Sequence, residues 1–517
     1  MKKSRDGFKW ANEWLKNPIN RRGFLRFMGI GAATLAGGGL TNLATPHLAS
    51  AASAAKPKYG GTIRLAWLSN LDTLDPHRTS NLTAIKIHNN VYNGILRTTF
   101  DGKRVGFEPE LAREWEIRGE TEHIFHLRKG IKFHNGDDFT AQDVKWSWER
   151  VKNPEHSPVH AWKMSHVTKI EVIDDFTIKM VLDAPDPFMT VAQTGSTGRA
   201  GTILNRRAVE AGGKEYGSKI VIGTGAFKFV EWKENDSVTL ERNPNYWEKD
   251  ADGNQLPYLD KVIVKIIIEE STAVAAMMAG EIDGMDRAPF QFVETLRKNP
   301  KITVYTMVGG NYVRMLMNNV KPPFDNKTLR QAASFAINRD EIVKQVFFGE
   351  AIPAHGPISP PMSDYYDPEF ETGKNGQYYD LEKAKELIKQ TPYASGAKAE
   401  YVLTSASWTP RLGQVLQAQL AKIGVKVELN TMELASWWRR FFAGEFDLTH
   451  DSPWADLDPD ETMYPEYRSG EKWNPMKYHN PEADKLLDLA RSTLNVKTRR
   501  EAYHKVMRIL AEDAPAA

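Results

Sequence analysis

No cysteine occurs among the 517 residues. That excludes disulfides, thiolate metal sites, a cysteine nucleophile and lipid attachment through an N-terminal cysteine. Nor is there a long lysine/arginine run or a marked charge of one sign. With 68 basic against 66 acidic residues, neither nucleic acid nor an anionic membrane has an electrostatic claim on the chain. Internal repeats and low-complexity tracts are missing, as are a G-x-S-x-G elbow, an H-E-x-x-H helix and a P-loop. The 13 histidines form no cluster at ligand spacing, and His123 and His126, three apart on an expected strand, point to opposite faces. What remains is a globular composition, 41% apolar and 26% charged, in a chain long enough for roughly three domain-sized units.

The first 55 residues stand apart. Arg21 and Arg22 precede Phe24, Leu25 and Arg26, a weakly apolar Gly- and Ala-rich stretch runs from Phe27 to Ala44, and small residues ending at Ala52 or Ala55 offer cleavage sites. Five glycines between Gly29 and Gly39 make a poor helix and a poor permanent membrane span. Residues 1–55 therefore read as a cleaved signal peptide. The arginine pair resembles a twin-arginine export signal, with Asn20 where Ser or Thr often stands. Cleavage takes away eight basic and two acidic residues and moves the formal balance from +2 to −4. The mature protein is expected to be periplasmic and free, not a lipoprotein.

Past the signal, the spacing predicts a β-rich first half. Strand patterns occur at 60–67, 169–182, 223–243 and 261–269, and a hairpin-like pair is expected near 123–127 and 131–133 with a turn at Asn135-Gly136. Thr140 and Asp143 form a capping-box pattern opening a helix over 141–151, and a second helix over 271–279 stops at Gly280. Beyond residue 306 helices alternate with short strands, with helices expected near 327–337, 340–348, 381–390 and 411–423. Gly309-Gly310 is a candidate hinge between the two halves.

One α/β unit draws attention to "DSPWADLDPDETMY" (451–464), which holds five carboxylates, two prolines and a tryptophan. A helix ends at Gly424, "VKVEL" alternates as a strand, "ELASWWRRFFA" is a helix ending at Gly444, and "FDLTH" is the next strand. Such a crossover makes the two strands parallel, and open α/β sheets bind ligands outside the carboxyl ends of their strands. Asp456, Asp458 and Asp460 open like an EF-hand loop. Position six is Glu461 instead of Gly, however, and position twelve is Tyr467 instead of Glu, so no metal site is expected. A catalytic carboxylate pair would need two acids about 5–10 Å apart with separated pKa values, which spacing alone neither gives nor forbids. A carboxylate in a partly dry crevice with a tryptophan beside it would capture an ammonium group. The bland alternative is a solvated acidic loop with Trp454 in the core.

The block "HLRKGIKFHNGDDFTAQDVKWSWERV" (126–151) resembles the signature of the family 5 extracellular solute-binding proteins of ABC importers, the peptide, oligopeptide and nickel group. "LDTLDPHRT", "EPELAREWEI", "GTGAFKFVEWKENDSVTLERNPNYW", "KPPFDNKTLRQAASFAINRDEIV" and "VLQAQLAKIGVKVEL" extend the likeness over essentially everything after residue 58. It implies an α/β, two-lobed periplasmic binding protein of the type II, venus-flytrap kind, with an additional β-rich subdomain in the first lobe. Lobe one is expected at 56–308, with the inserted subdomain at about 85–222. Lobe two is expected at 309–512, and 513–517 as the start of a return to lobe one that reads as truncated.

The resemblance also implies roles. In peptide-binding members an Asp shortly after a Trp holds the solute's α-amino group, which points to Asp456 beside Trp454; Asp458 is a further ligand-binding candidate or a turn carboxylate, and Asp460 a rim residue. In "TSASWTPRLGQ" (404–414), Arg411 is the candidate for a solute carboxylate and Trp408 a candidate pocket wall, though that loop is shorter than in dipeptide binders. Expected partners are a peptide or other small polar solute and a membrane ABC permease with its ATPase. No cofactor, catalytic residue or nucleic acid is expected, and the protein should act as a monomer. An exported hydrolase using an acidic cleft, or a chemosensory receptor of the same fold, are the alternatives.

Overall fold

The structure, a computed structural model, describes residues 57–100, 105–196, 198–370, 376–405, 408–453 and 458–517. The first-lobe sheet has the order β11-β1-β10-β9-β8, from β1 (Thr62–Trp67), β8 (Phe227–Lys233), β9 (Ser237–Arg242), β10 (Lys261–Ile266) and β11 (Gly284–Met285). β1 runs parallel to β10 and β11, whereas β8, β9 and β10 form an antiparallel meander.

Between β1 and β8 the chain builds a separate antiparallel sheet, β4-β5-β7-β6, from β4 (Ala112–Arg118), β5 (Glu122–Leu127), β6 (Val167–Asp174) and β7 (Thr177–Leu182), next to a ribbon of β2 (Leu96–Phe100) and β3 (Val105–Pro109). The helix Ala141–Lys152 lies against it, opened by the expected capping box: Thr140 and Asp143 satisfy each other's backbone N–H groups. Its Val144, Trp148 and Val151 join Phe125, Ile178 and Met180 in one apolar core. That core collects residues from Ile95 to Ile203, whereas the helix Leu82–Val91 and Leu204, Tyr216 and Val221 pack with the first-lobe sheet. The insert is thus narrower than the expected 85–222. Two blocks of the family signature meet in a buried ion pair that ties insert to sheet: Arg150 forks onto Asp75 with Nη1–Oδ1 3.1 Å and Nη2–Oδ2 2.6 Å.

The second-lobe sheet has the order β12-β15-β13-β14, from β12 (Arg314–Met317), β13 (Ala397–Thr404), β14 (Val425–Met432) and β15 (Leu448–Asp451). β14 and β15 both run parallel to β13, so they share a direction as the crossover argument required, but β13 lies between them. Strand alternation divides the lobe into two cores. Met315, Met317, Tyr401 and Leu403 face one, and Leu316 and Val402 face the other. Two boundaries depart from expectation. Phe290 sits edge-on to Phe347 at 5.3 Å and Arg297 forks onto Glu350, so the chain reaches the second core well before Gly309. At the other end, Met315 and Ala517 exchange backbone hydrogen bonds at 2.7 and 2.9 Å. Residues 515–517 therefore extend the open edge of β12 instead of turning toward the first lobe, which satisfies backbone groups that edge would otherwise leave unpaired.

Candidate functional site

The acidic segment leaves β15 at its carboxyl end, and its described flanks are held by arginines. Asp451 accepts from Arg314 Nε at 2.8 Å and Nη2 at 2.9 Å. Arg314 also lies 2.7 Å from Glu466 and 5.1 Å over the Tyr467 ring. Burial works against its charge, but Asp451 and Glu466 outweigh it and raise its pKa. One guanidinium faces two carboxylates here. Burial, with Asp451 adding repulsion, pushes the Glu466 carboxyl well above the usual range.

Asp458 is held more tightly. Arg499 donates to both its oxygens, Nη2–Oδ1 2.6 Å and Nη1–Oδ2 2.9 Å, and rests against the Tyr365 and Tyr503 rings. The Asp460 backbone N–H takes the remaining capacity of Oδ1 at 2.9 Å. Both oxygens of Asp458, expected as a ligand-binding candidate or a turn carboxylate, are thus engaged by groups of the fold. Asp460, expected at a solvated rim, is 2% exposed and bound by Arg491 through Nε at 2.9 Å and Nη2 at 2.7 Å. Trp454 and Asp456, the two principal candidates, lie outside the described residues.

Trp408 packs between Phe347 at 5.6 Å and His450 at 5.5 Å, next to the residue at which the acidic segment begins. Arg411 is exposed in the first turn of the helix Thr409–Ala421, its guanidinium 4.9 Å over Phe348.

Residues without any motif complete the picture. Glu461 meets Lys163 of the insert at 3.7 Å, with both side chains about 5% exposed. Beside them Trp162, His166, Asp186 and Phe188 of the insert face Asp460 and Arg491 across a narrow gap. Burial, with the Asp460 charge adding to it, raises the Asp186 pKa to about 6. The described end of the acidic segment, at Asp460 and Glu461, therefore lies where the insert and the second lobe meet. A larger cavity of about 440 Å³ reaches Ser452 and Tyr467 and is lined by residues from Phe290 to Ala517, among them Met307, Gly309 and Tyr312 at the connection between the two halves. Among the described residues no cluster of His, Asp and Glu could hold a metal ion, and no helix is long and apolar enough to cross a membrane.

Two sheet-centred lobes with an antiparallel insert in the first define a two-lobed periplasmic binding protein of mixed α/β type. The chain belongs to the bacterial extracellular solute-binding proteins, family 5, whose family model matches residues 106–475. It is a substrate-binding protein of the ABC-importer class, a receptor and not an enzyme. It is 27% identical over 473 residues to the glutathione-binding protein GsiB of Pectobacterium atrosepticum, covering 86% of each chain. It is 29% identical to heme-binding protein A of Haemophilus influenzae, covering 82% of this chain and 80% of that one. The solved structure of the ABC transporter-associated periplasmic binding protein DppA from Helicobacter pylori in complex with peptide STSA superimposes with a TM-score of 0.75 at 29% identity, covering 89% of this chain and 92% of that one.

Proposed function

We propose that this receptor captures a peptide-like solute carrying a free ammonium group, anchors that group on Asp456 beside Trp454, and presents the closed complex as a monomer to the permease and ATPase of an ABC importer. The sequence pattern carries the reading: an Asp shortly after a Trp takes the solute's ammonium group in the peptide-binding pattern, and that pattern selects Asp456 after Trp454. The described flanks of the segment are pinned by cations at Asp451, Asp458, Asp460 and Glu461, which would hold such an anchor in place. The relatives support the solute class, since a peptide is bound in the Helicobacter pylori structure and glutathione, named for GsiB, is itself a tripeptide with a free amino group.

Native mass spectrometry of the purified protein, followed by denaturation, names any solute carried through purification. Calorimetry with that solute then tests the anchor. Asp456→Asn should weaken binding by about 2–4 kcal/mol, roughly 30- to 1000-fold, because a charge-assisted contact in a dry crevice is lost. A neutral or anionic solute, or an unchanged affinity, would remove the anchor. Export by the twin-arginine route belongs to the same reading, and replacing Arg21 and Arg22 by Lys should retain the precursor in the cytoplasm; normal export of that variant, followed by fractionation, would point to a Sec signal instead.

A further inference from the structure

We propose that the cavity of about 440 Å³ is a binding site for a carboxylate carried on an apolar body, with the Arg339 guanidinium holding the carboxylate. The inference goes beyond the ammonium anchor and does not depend on Asp456.

The cavity falls in the range of small-molecule pockets, about 300–1,000 Å³. Ile342, Leu412, Leu416, Met507 and Leu510, brought by the helices Arg339–Val346, Thr409–Ala421 and Val496–Asp513, give it apolar walls. Several charged residues also line it, and three of them are already matched: Arg314 by Asp451 and Glu466, Glu350 by Arg297, and Asp367 by Arg508. Arg339 is different. Largely buried, it meets no carboxylate among the described residues; Nη2 donates to Gln377 Oε1 at 2.8 Å and Nη1 to the Ile337 carbonyl oxygen at 3.3 Å. Most of the guanidinium's N–H donors are left for another acceptor. Gln377 is itself fixed, because its Nε2 donates to the Ala516 carbonyl oxygen at 2.6 Å, so the fork is oriented in advance. Burial pushes the Arg339 pKa down to about 10 with no acid to oppose it, whereas carboxylates raise those of Arg314, Arg491 and Arg499.

A guanidinium held out of water without a counter-ion is costly, and an entering carboxylate removes that cost through parallel N–H···O bonds. The apolar walls then select what the carboxylate is attached to. Two sources carry that chemistry, a free monocarboxylic acid and the C-terminal end of a peptide whose last residue is apolar.

Isothermal calorimetry on protein unfolded, stripped of solute and refolded tests the site with octanoate and with the tripeptide Ala-Ala-Leu, each against its neutral amide. At least one acid should bind roughly tenfold or more tightly than its amide, because only the acid pairs with the guanidinium. Octanoate alone would make a free acid the source, and the tripeptide a peptide terminus. Arg339→Gln should abolish the preference and leave the affinity for the amide unchanged. Ala511→Leu, at the cavity wall on the helix Val496–Asp513, keeps a good helix former and fills the space, so it should weaken acid and amide alike. Binding of neither acid, equal affinities for acid and amide, a preference that survives Arg339→Gln, or an Ala511→Leu variant that binds as the native chain does overturns the proposal. Should Arg339→Gln not fold, the preference of the native chain and its loss in Ala511→Leu decide the matter.

Discussion

Asp458 accepts two hydrogen bonds from one buried guanidinium, and neither group has water to fall back on. Asp458→Asn leaves the Arg499 charge in place and removes its counter-ion, which for a buried pair costs about 3 kcal/mol or more. We expect a large fall in thermal stability with little specific loss of solute affinity. An unchanged melting temperature with lost binding would instead make Asp458 a solute ligand. Asp456→Asn should show the reverse pattern, so the two substitutions two residues apart separate scaffold from anchor. Which carboxylate does which was not legible from spacing. Arg314, Arg491 and Arg499 stand 137, 31 and 41 residues from their acids, and only the tertiary fold brings them together. Lys163 was invisible for the same reason, since nothing in "HAWKMSH" marks a lysine that will meet an acid on another lobe.

At the scale of the element, local chemistry is written where it acts. Helices expected at 327–337, 381–390 and 411–423 are found at Lys327–Ala336, Leu381–Lys389 and Thr409–Ala421. Asn326 and Asp380 cap the first two with side-chain oxygens, an interaction that depends on neighbours in sequence alone. The helices ending at Gly280 and Gly444 offer a paired test. Both glycines are left-handed, with φ of 76° and 69°, where a Cβ costs about 1 kcal/mol. A Cβ at Gly280 meets nothing within 4 Å, whereas one at Gly444 comes within 3.0 Å of the Pro475 carbonyl oxygen. Gly444→Ala should therefore destabilise by about 1 kcal/mol more than Gly280→Ala, since the backbone at Pro475 must also shift. Denaturant midpoints of equal size would mean that loop yields freely. The position of β13 between β14 and β15 had no such local signature, because it is set by pairing between strands that are distant in sequence.

Across the whole molecule the division into lobes was legible in the change from β-rich to alternating text, but its edges were not. Phe290 and the 515–517 segment join the second lobe through contacts with Phe347 and β12 that no local pattern announces. The same long-range burial sets the response to acid. Burial lowers the pKa of His77, His123, His134 and His450 to about 4 and that of His88 to about 3, with the Arg150 charge adding to it at His77. A histidine depressed in the fold and ordinary when unfolded contributes stability that is present above about pH 6.5 and is lost as pH falls through the folded value. Buried carboxyls act in the opposite sense. Burial raises Glu110 to about 7, Asp186 to about 6 and Glu466 well above the usual range, so acidification relieves their cost from those values down to the ordinary carboxylate range and partly offsets the histidines. Melting temperature followed by calorimetry should therefore hold or rise slightly from pH 8 to 6 and fall between 6 and 4, where the more numerous histidines outweigh the carboxyls. His123 isolates the cause. It is 1% exposed on β5, neither ring nitrogen has a hydrogen-bond partner, and burial alone accounts for its shift. His123→Phe keeps a ring in the strand and removes the titrating group, so it should raise the melting temperature at pH 4.5 by more than at pH 7.5. Equal effects at the two pH values would show that acid unfolds the protein by another route.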